Sequence, residues 1–210
     1  MEKQNDTAAK ILAAAEDEFI EKGFGKARML SIAAKAGVSH SMLHYYYRTK
    51  EELFRMIFNA KAHRITDLID TLDVEGVDFV DVLRQFVGKQ FDLMRADSKF
   101  ALFVMREILC NREYLSQVVA EVAPAVSDHY RTFNRRLREE VAAGRVRDID
   151  LPDLIVDVVA INICSIPAAM IMQELSPDAD IEEFCRQRRR SNADFIVASL
   201  RPGAPVSENK

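Results

Sequence analysis

Residues 22–50 of this 210-residue chain read KGFGKARMLSIAAKAGVSHSMLHYYYRTK. Six of them are basic (Lys22, Lys26, Arg28, Lys35, Arg48 and Lys50), two are histidine, three in a row are tyrosine, and none is Asp or Glu. The whole chain has 29 basic and 33 acidic residues and a net charge of −4, which leaves 23 basic and 33 acidic residues, or −10, outside the stretch. A basic, aromatic-bearing segment in an otherwise acidic protein points to a site for a polyanion. The local pattern says how it would be held. Leu30, Ile32, Ala33 and Ala36 mark a short helix that Gly37 ends, and Ser39 caps a second helix containing Met42, Leu43 and Tyr46. Two short helices joined at Ala36-Gly37-Val38 form a helix-turn-helix, in which Gly37 relieves the strain of the turn while Val38 and Leu43 pin the second helix to the first.

In such a unit the second helix lies in the DNA major groove and presents its N-terminal residues to base edges. Here those are Ser39, His40, Ser41, Met42, His44 and Tyr45. Ser and His hydrogen-bond bases, Met42 meets a thymine methyl, and Tyr46 reaches phosphate. Arg28 before the first of the two helices and Lys50 at the start of the next add cationic contacts, where helix N-termini already favour phosphate.

Outward from this stretch the pattern is helical throughout. Asp6 or Thr7 caps a helix with Ala8, Ile11, Leu12, Ala15 and Phe19 on one face, and Gly23 stops it. Thr49-Lys50-Glu51-Glu52 fits a capping box that opens a helix through Leu53, Phe54, Ile57 and Ile65. After Gly76 come Val80, Leu83, Phe86, Val87, Phe91 and Met94, then Phe100, Phe103, Val104 and Ile108. Leu115, Val118, Val119 and Val122 lead into Pro124, which starts a helix or kinks one, and Val126 to Val141 continue with helical spacing until Gly144. Asp150, Pro152 and Asp153 open a very apolar helix, and Pro177 and Asp180 precede the last, which ends near Leu200. About nine helices and no strand make the fold all-α. There is no internal repeat.

The apolar segment, residues 154–172, is interrupted only by Asp157, Asn162 and Ser165. That length just spans a bilayer. A mid-segment Asp costs about 2.5–3.5 kcal/mol on insertion, and neither an aromatic belt nor a basic flank accompanies it. A helix buried on both sides in a soluble protein is the better reading, with one face on its own core and the other on a second copy. A homodimer of two-fold symmetry follows, through this helix and the one after it, with Val158, Ile166 and Met170 in its contact.

The combination Lys10-Ile11-Leu12-Ala13-Ala14-Ala15, Phe19, Glu21-Lys22-Gly23-Phe24, Ile32-Ala33, Ala36-Gly37-Val38-Ser39 and Lys50-Glu51-Glu52-Leu53 strongly resembles the TetR family of transcriptional repressors. The resemblance covers about residues 7–58. It implies an N-terminal three-helix DNA-binding domain, an all-helical ligand-sensing and dimerisation domain, and a homodimer. Residues 1–50 would then be the helix-turn-helix domain, 51–203 the effector and dimer domain, and 204–210 a disordered tail. The chain departs from the family pattern at Ala27-Arg28, where Thr-Thr is usual and a hydroxyl cap is lost, and at His44, where Tyr is usual. The family also places an effector pocket among the middle helices of the second domain, for which Phe91, Met94, Phe103, Met105, Tyr130, Phe133 and Asn162 are candidates by size, adaptability or polarity at apolar sites.

The expected function is therefore a repressor that binds a pseudo-palindromic operator in double-stranded DNA as a homodimer and is released by a small-molecule effector of unidentified class. An activator or effector-independent regulator on the same fold is the alternative. A helical carrier or enzyme without DNA binding is a remote one, because no polar catalytic cluster is present. No metal or cofactor is expected: His63 and His129 have no carboxylate or Cys at ligand spacing. Arg186, Arg188, Arg189 and Arg190 are flanked by Glu182, Glu183 and Asp194 and read as a solvated or salt-bridged face. Three scattered cysteines, Cys110, Cys164 and Cys185, and a polar N-terminus without a signal-peptide core suit a reducing cytoplasm and no membrane.

Overall fold

Where capping residues and glycines fall, helices start and stop. The computed structural model describes residues 2–72, 76–110 and 112–203, and among them it has nine α-helices and no strand. They are α1 (Glu2–Lys22), α2 (Met29–Ala36), α3 (His40–Tyr46), α4 (Lys50–Asp70), α5 (Phe79–Ala96), α6 (Ser98–Cys110), α7 (Arg112–Ala142), α8 (Leu151–Leu175) and α9 (Ile181–Ser199). Helix α1 begins before the expected caps at Asp6 and Thr7. Helix α7 runs unbroken through position 124, so no separate element starts there. The side chains of Ile108, Cys110, Leu115, Val118, Val119, Val122 and Pro124, and the tail 204–210, lie outside the described residues.

Contacts divide the chain into two compact units, Met1–Arg64 with Lys99–Val126, and Ile65–Ser98 with Ser127–Lys210. The sequence pattern places the boundary at residue 50, with residues 99–126 inside the second domain, 51–203. Two aromatic side chains explain the difference. Phe100 and Phe103 of α6 are buried in the same core as Ile11, Phe19, Ile32, Leu43, Leu53 and Phe54, and the Phe103 ring lies 6.1 Å from that of Phe54. Arg106 adds a polar tie, its guanidinium donating to the carbonyls of Phe19 and Ile20 at 3.4 Å. Those carbonyls belong to the C-terminal turn of α1, whose dipole favours a cation, and that of Phe19 also accepts from Gly23 N at 2.8 Å.

Beneath α2 in this first unit sits a buried carboxylate. Glu18 of α1 is fully buried, and Lys22 Nζ donates to its Oε1 at 2.7 Å. Lys35 Nζ of α2 lies 3.0 Å from Oε2, which is held by charge without an aligned hydrogen bond, and the same ammonium pairs with Glu21 at 2.7 Å. Burial pushes the Glu18 carboxyl up, but the Lys22 and Lys35 ammonium groups and the nearby Ser31 hydroxyl outweigh it and hold the group at about 2. The contact of α1 with α2 is thus ionic as well as apolar.

The second unit is built on α5, α8 and α9, which pack on one another. Its core contains Phe79, Leu83 and Val87 of α5, Leu137 of α7, Leu151, Leu154 and Val158 of α8, and Ala193 and Ile196 of α9. Among the described residues its buried polar side chains are Thr66, Gln90, Asn162, Ser165 and Asn192, amides and hydroxyls. Asn162 Nδ2 donates to Gln90 Oε1 at 2.6 Å and to the Val87 carbonyl at 3.0 Å. Asn192 Nδ2 donates to Asn162 Oδ1 at 2.9 Å and Ser165 Oγ at 3.0 Å, while Arg188 donates to Asn192 Oδ1 at 2.5 Å. The Asn162 and Asn192 amides are each bonded through both their oxygen and their nitrogen, which is what makes their burial tolerable.

Helix α8 is not buried on both sides. It is long and apolar enough to cross a membrane by composition, yet only one face packs inward, where Leu154, Val158, Asn162 and Ser165 are buried. The opposite face leaves Val156 63%, Met170 60%, Ile171 57% and Leu175 74% exposed, with Cys164 exposed between them. Val158 is 1% exposed inside its own core, which corrects its assignment to a dimer contact. Ile166 is half-buried and Met170 open.

A candidate nucleic-acid interface on helix α3

The turn between α2 and α3 is set by backbone chemistry. Gly37 has φ +67°, a left-handed conformation that costs an L side chain roughly 1–2 kcal/mol. Its N–H donates to the Ala34 carbonyl at 3.2 Å and that of Val38 to the Ala33 carbonyl at 3.0 Å. Together these two bonds satisfy the last carbonyls of α2 and redirect the chain. Ser39 then caps α3, its Oγ accepting from Met42 N at 3.1 Å. Leu43, fully buried, fastens α3 to the core, and Val38 and Tyr46 pack beside it.

With Leu43 inward, the helix turns the other residues out. Ser39, His40, Ser41, Met42, His44 and Tyr45 are all exposed, Tyr45 to 77%. Tyr46, expected to reach phosphate, is half-buried against the core, and Tyr47 is buried. Tyr45 is the freer of the two for an outward contact. The hydroxyl of Ser39 is already engaged with Met42 and with Ser41 Oγ at 3.1 Å, so its role is to hold the helix end.

The two cations expected at phosphate differ. Arg28 is exposed and occupies the cap position of α2 without any side-chain hydrogen bond to the helix end, as the loss of the hydroxyl at this place implies. Lys50 is tied inward. Its Nζ donates to the carbonyls of Phe24 at 3.0 Å and Gly25 at 3.4 Å, and lies 4.6 Å from the centre of the Phe24 ring. It clasps the α1–α2 loop to the start of α4. The expected capping box is half formed: Glu52 N donates to Thr49 Oγ1 at 3.1 Å, but the Glu52 carboxylate accepts from Arg48 N at 2.9 Å.

Sequence reasoning missed a side-chain pair here. His40 and His44 stack edge to face with ring centroids 4.4 Å apart, and their Nε2 atoms are 3.2 Å apart. His44 Nδ1 lies 3.1 Å from the Arg48 carbonyl oxygen. The signal was present as spacing of four on a helix, which brings side chains over one another.

The effector candidates are spread over both units. Phe103 and Met105 are in the first unit; Phe91, Met94, Tyr130, Phe133 and Asn162 are in the second. Phe91 is buried, Tyr130 is exposed, and Phe133 packs on Phe79 at 5.2 Å. The Asn162 amide is occupied at both ends by Gln90, Val87 and Asn192.

An all-helical chain with a capped, outward-facing second helix after a glycine turn is a helix-turn-helix protein of the DNA-binding kind. Residues 11–57 match the model of the bacterial regulatory proteins of the tetR family. The fatty acid metabolism regulator protein of Bacillus subtilis is 20% identical over 148 residues, 70% of this chain and 75% of that protein. A TetR family transcription regulator from Marinobacter aquaeolei has the same fold, with a TM-score of 0.69 at 16% identity over 96% of this chain and 100% of that one. So does FadR from Bacillus subtilis, solved with stearoyl-CoA, at 0.63, 17%, 91% and 98%. Residues 11–57 are thus of the tetR family of bacterial regulatory proteins, and the fold of the described residues is one that TetR family regulators share.

Proposed function

We propose that this protein is a repressor that binds a pseudo-palindromic operator as a homodimer and leaves it when a small effector binds. The exposed polar face of α3, standing on a glycine-set turn, is the observation that carries this reading. One α3 from each subunit would enter the major groove, with His40, Ser41, Met42, His44 and Tyr45 toward the bases. Arg28 would meet phosphate beside them, and Ser39, Tyr46 and Lys50 would support the face from behind.

The open face of α8 is the dimer contact in this account, with Val156, Met170 and Ile171 in it and Ile166 at its margin. An apolar strip of this length on a soluble monomer is unfavourable, and a two-fold partner presenting the same strip covers it. The setting is cytoplasmic, and the chain performs no catalysis.

An effector shifts such a protein only through unequal affinity for its two conformers; moving 1:99 to 99:1 takes about 5.5 kcal/mol. Long-chain acyl-CoA thioesters are the class to try first, supported by the fatty acid regulator among the relatives and the stearoyl-CoA bound to a protein of the same fold. The test is selection of bound fragments from the host's genomic DNA, followed by elution with acyl-CoA. Enrichment of an inverted repeat that acyl-CoA releases is expected. Absence of any enriched fragment contradicts the operator, and fragments that acyl-CoA leaves bound contradict the effector class alone.

A further inference from the structure

The His40–His44 pair has a defined proton arrangement. A carbonyl oxygen only accepts, so His44 Nδ1, 3.1 Å from the Arg48 carbonyl, carries the ring proton, and the Nε2 lone pair of the neutral ring is bare. His40 must then donate from its own Nε2 across the 3.2 Å that separates the two atoms. Two features of a metal-ligating histidine are present in His44: an accessible nitrogen, and a backbone carbonyl behind it that fixes tautomer and ring orientation.

We propose that His40 and His44 form a bidentate site for a late first-row divalent transition ion, with Cu²⁺ bound more tightly than Ni²⁺ or Zn²⁺. Imidazole nitrogens hold such ions at about 2.0–2.1 Å. Two nitrogens 3.2 Å apart then subtend roughly 100° at the ion, between the square-planar and tetrahedral angles. Binding replaces one hydrogen bond with two coordinate bonds: the His40 proton passes through solvent from Nε2 to Nδ1, and both Nε2 lone pairs go to the ion. Each neutral ring keeps one proton, so the step balances without an acid or base. Among the described residues no third His, Cys, Asp or Glu joins the pair, and water fills the remaining positions. The site concerns the free protein and stands whether or not α3 reads DNA.

The test is titration of the full chain with CuCl₂, NiCl₂ and ZnCl₂ by calorimetry in a non-chelating buffer. One ion per subunit is expected. His40→Ala and His44→Ala should each weaken it by at least the roughly 10–100-fold that loss of a supporting partner costs a metal site, while His63→Ala with His129→Ala leaves it unchanged. No uptake, or uptake indifferent to His40 and His44, overturns the site. Should a variant disturb α3, the wild-type ring signals decide: Cu²⁺ should broaden the His40 and His44 proton resonances first, and broadening confined to His63 and His129 overturns the proposal.

Discussion

Two helices of this molecule leave one face open, and the faces differ in kind. On α3 the open face is Ser39, His40, Ser41, Met42, His44 and Tyr45, mostly polar and aromatic. On α8 it is Val156, Cys164, Met170, Ile171 and Leu175, mostly apolar. The inner side of α3 is anchored by one leucine and a serine cap, whereas that of α8 is fixed by Val158 and a chain of buried amides. Water tolerates the first face and not the second. The first therefore suits an occasional polar partner such as a DNA groove, and the second a permanent apolar one such as a copy of itself.

The largest expected effect breaks the apolar face. Met170→Glu puts a charge where 60% of the side chain is open, so the fold should survive while sedimentation shows monomers in place of dimers; an intact dimer would move the contact elsewhere. Next comes the aim of the polar face. Gly37→Val has room for its Cβ but needs φ +67°, so it should lower stability by about 1–2 kcal/mol and abolish retardation of a selected DNA fragment without splitting the dimer. Unchanged retardation would deny the turn its role.

A smaller effect sharpens how α3 is supported. The Glu18 carboxyl is held at about 2 against an ordinary 4.5, so its stabilisation is complete above the unfolded value and is lost as the pH falls from there through the folded one. Acid unfolding of the wild type should steepen across that window, and Glu18→Gln should flatten it; identical acid profiles would show the pair to be idle. Smallest is Lys50→Ala. Because its ammonium is bonded to Phe24 and Gly25, this change should lower thermal stability slightly and leave the salt dependence of DNA binding nearly unaltered. A slope lower by about one unit would instead make Lys50 a phosphate contact.

The polar face was legible in sequence because its signals are local. Gly37, the Ser39 cap and the spacing of Ile32, Leu43 and Val38 each act within a few residues. The apolar face was legible only as composition. Helix α8 is apolar all round, so Val156 and Val158 look alike in sequence, and one is open while the other is buried. Asn162 and Ser165, three apart, in fact mark the buried side, since polar groups in an apolar helix need partners and find them in α5 and α9. Nothing local could reveal that Lys50 reaches a loop 25 residues earlier, or that Phe100 and Phe103 belong with the N-terminal core, because both depend on long-range packing. His40 and His44 were different. Their spacing was visible, but the carbonyl that orders them belongs to Arg48, just past the helix end.

A face on α3 that reads DNA and a face on α8 that pairs two readers would hold the two recognition helices at a fixed distance. Hydroxyl-radical footprinting of a fragment selected from genomic DNA measures this directly. Two protected patches on one side of the duplex, about 34–36 Å apart or a multiple of that, are predicted, each lost in Gly37→Val. A single patch, or protection without two-fold related sequence, would contradict it.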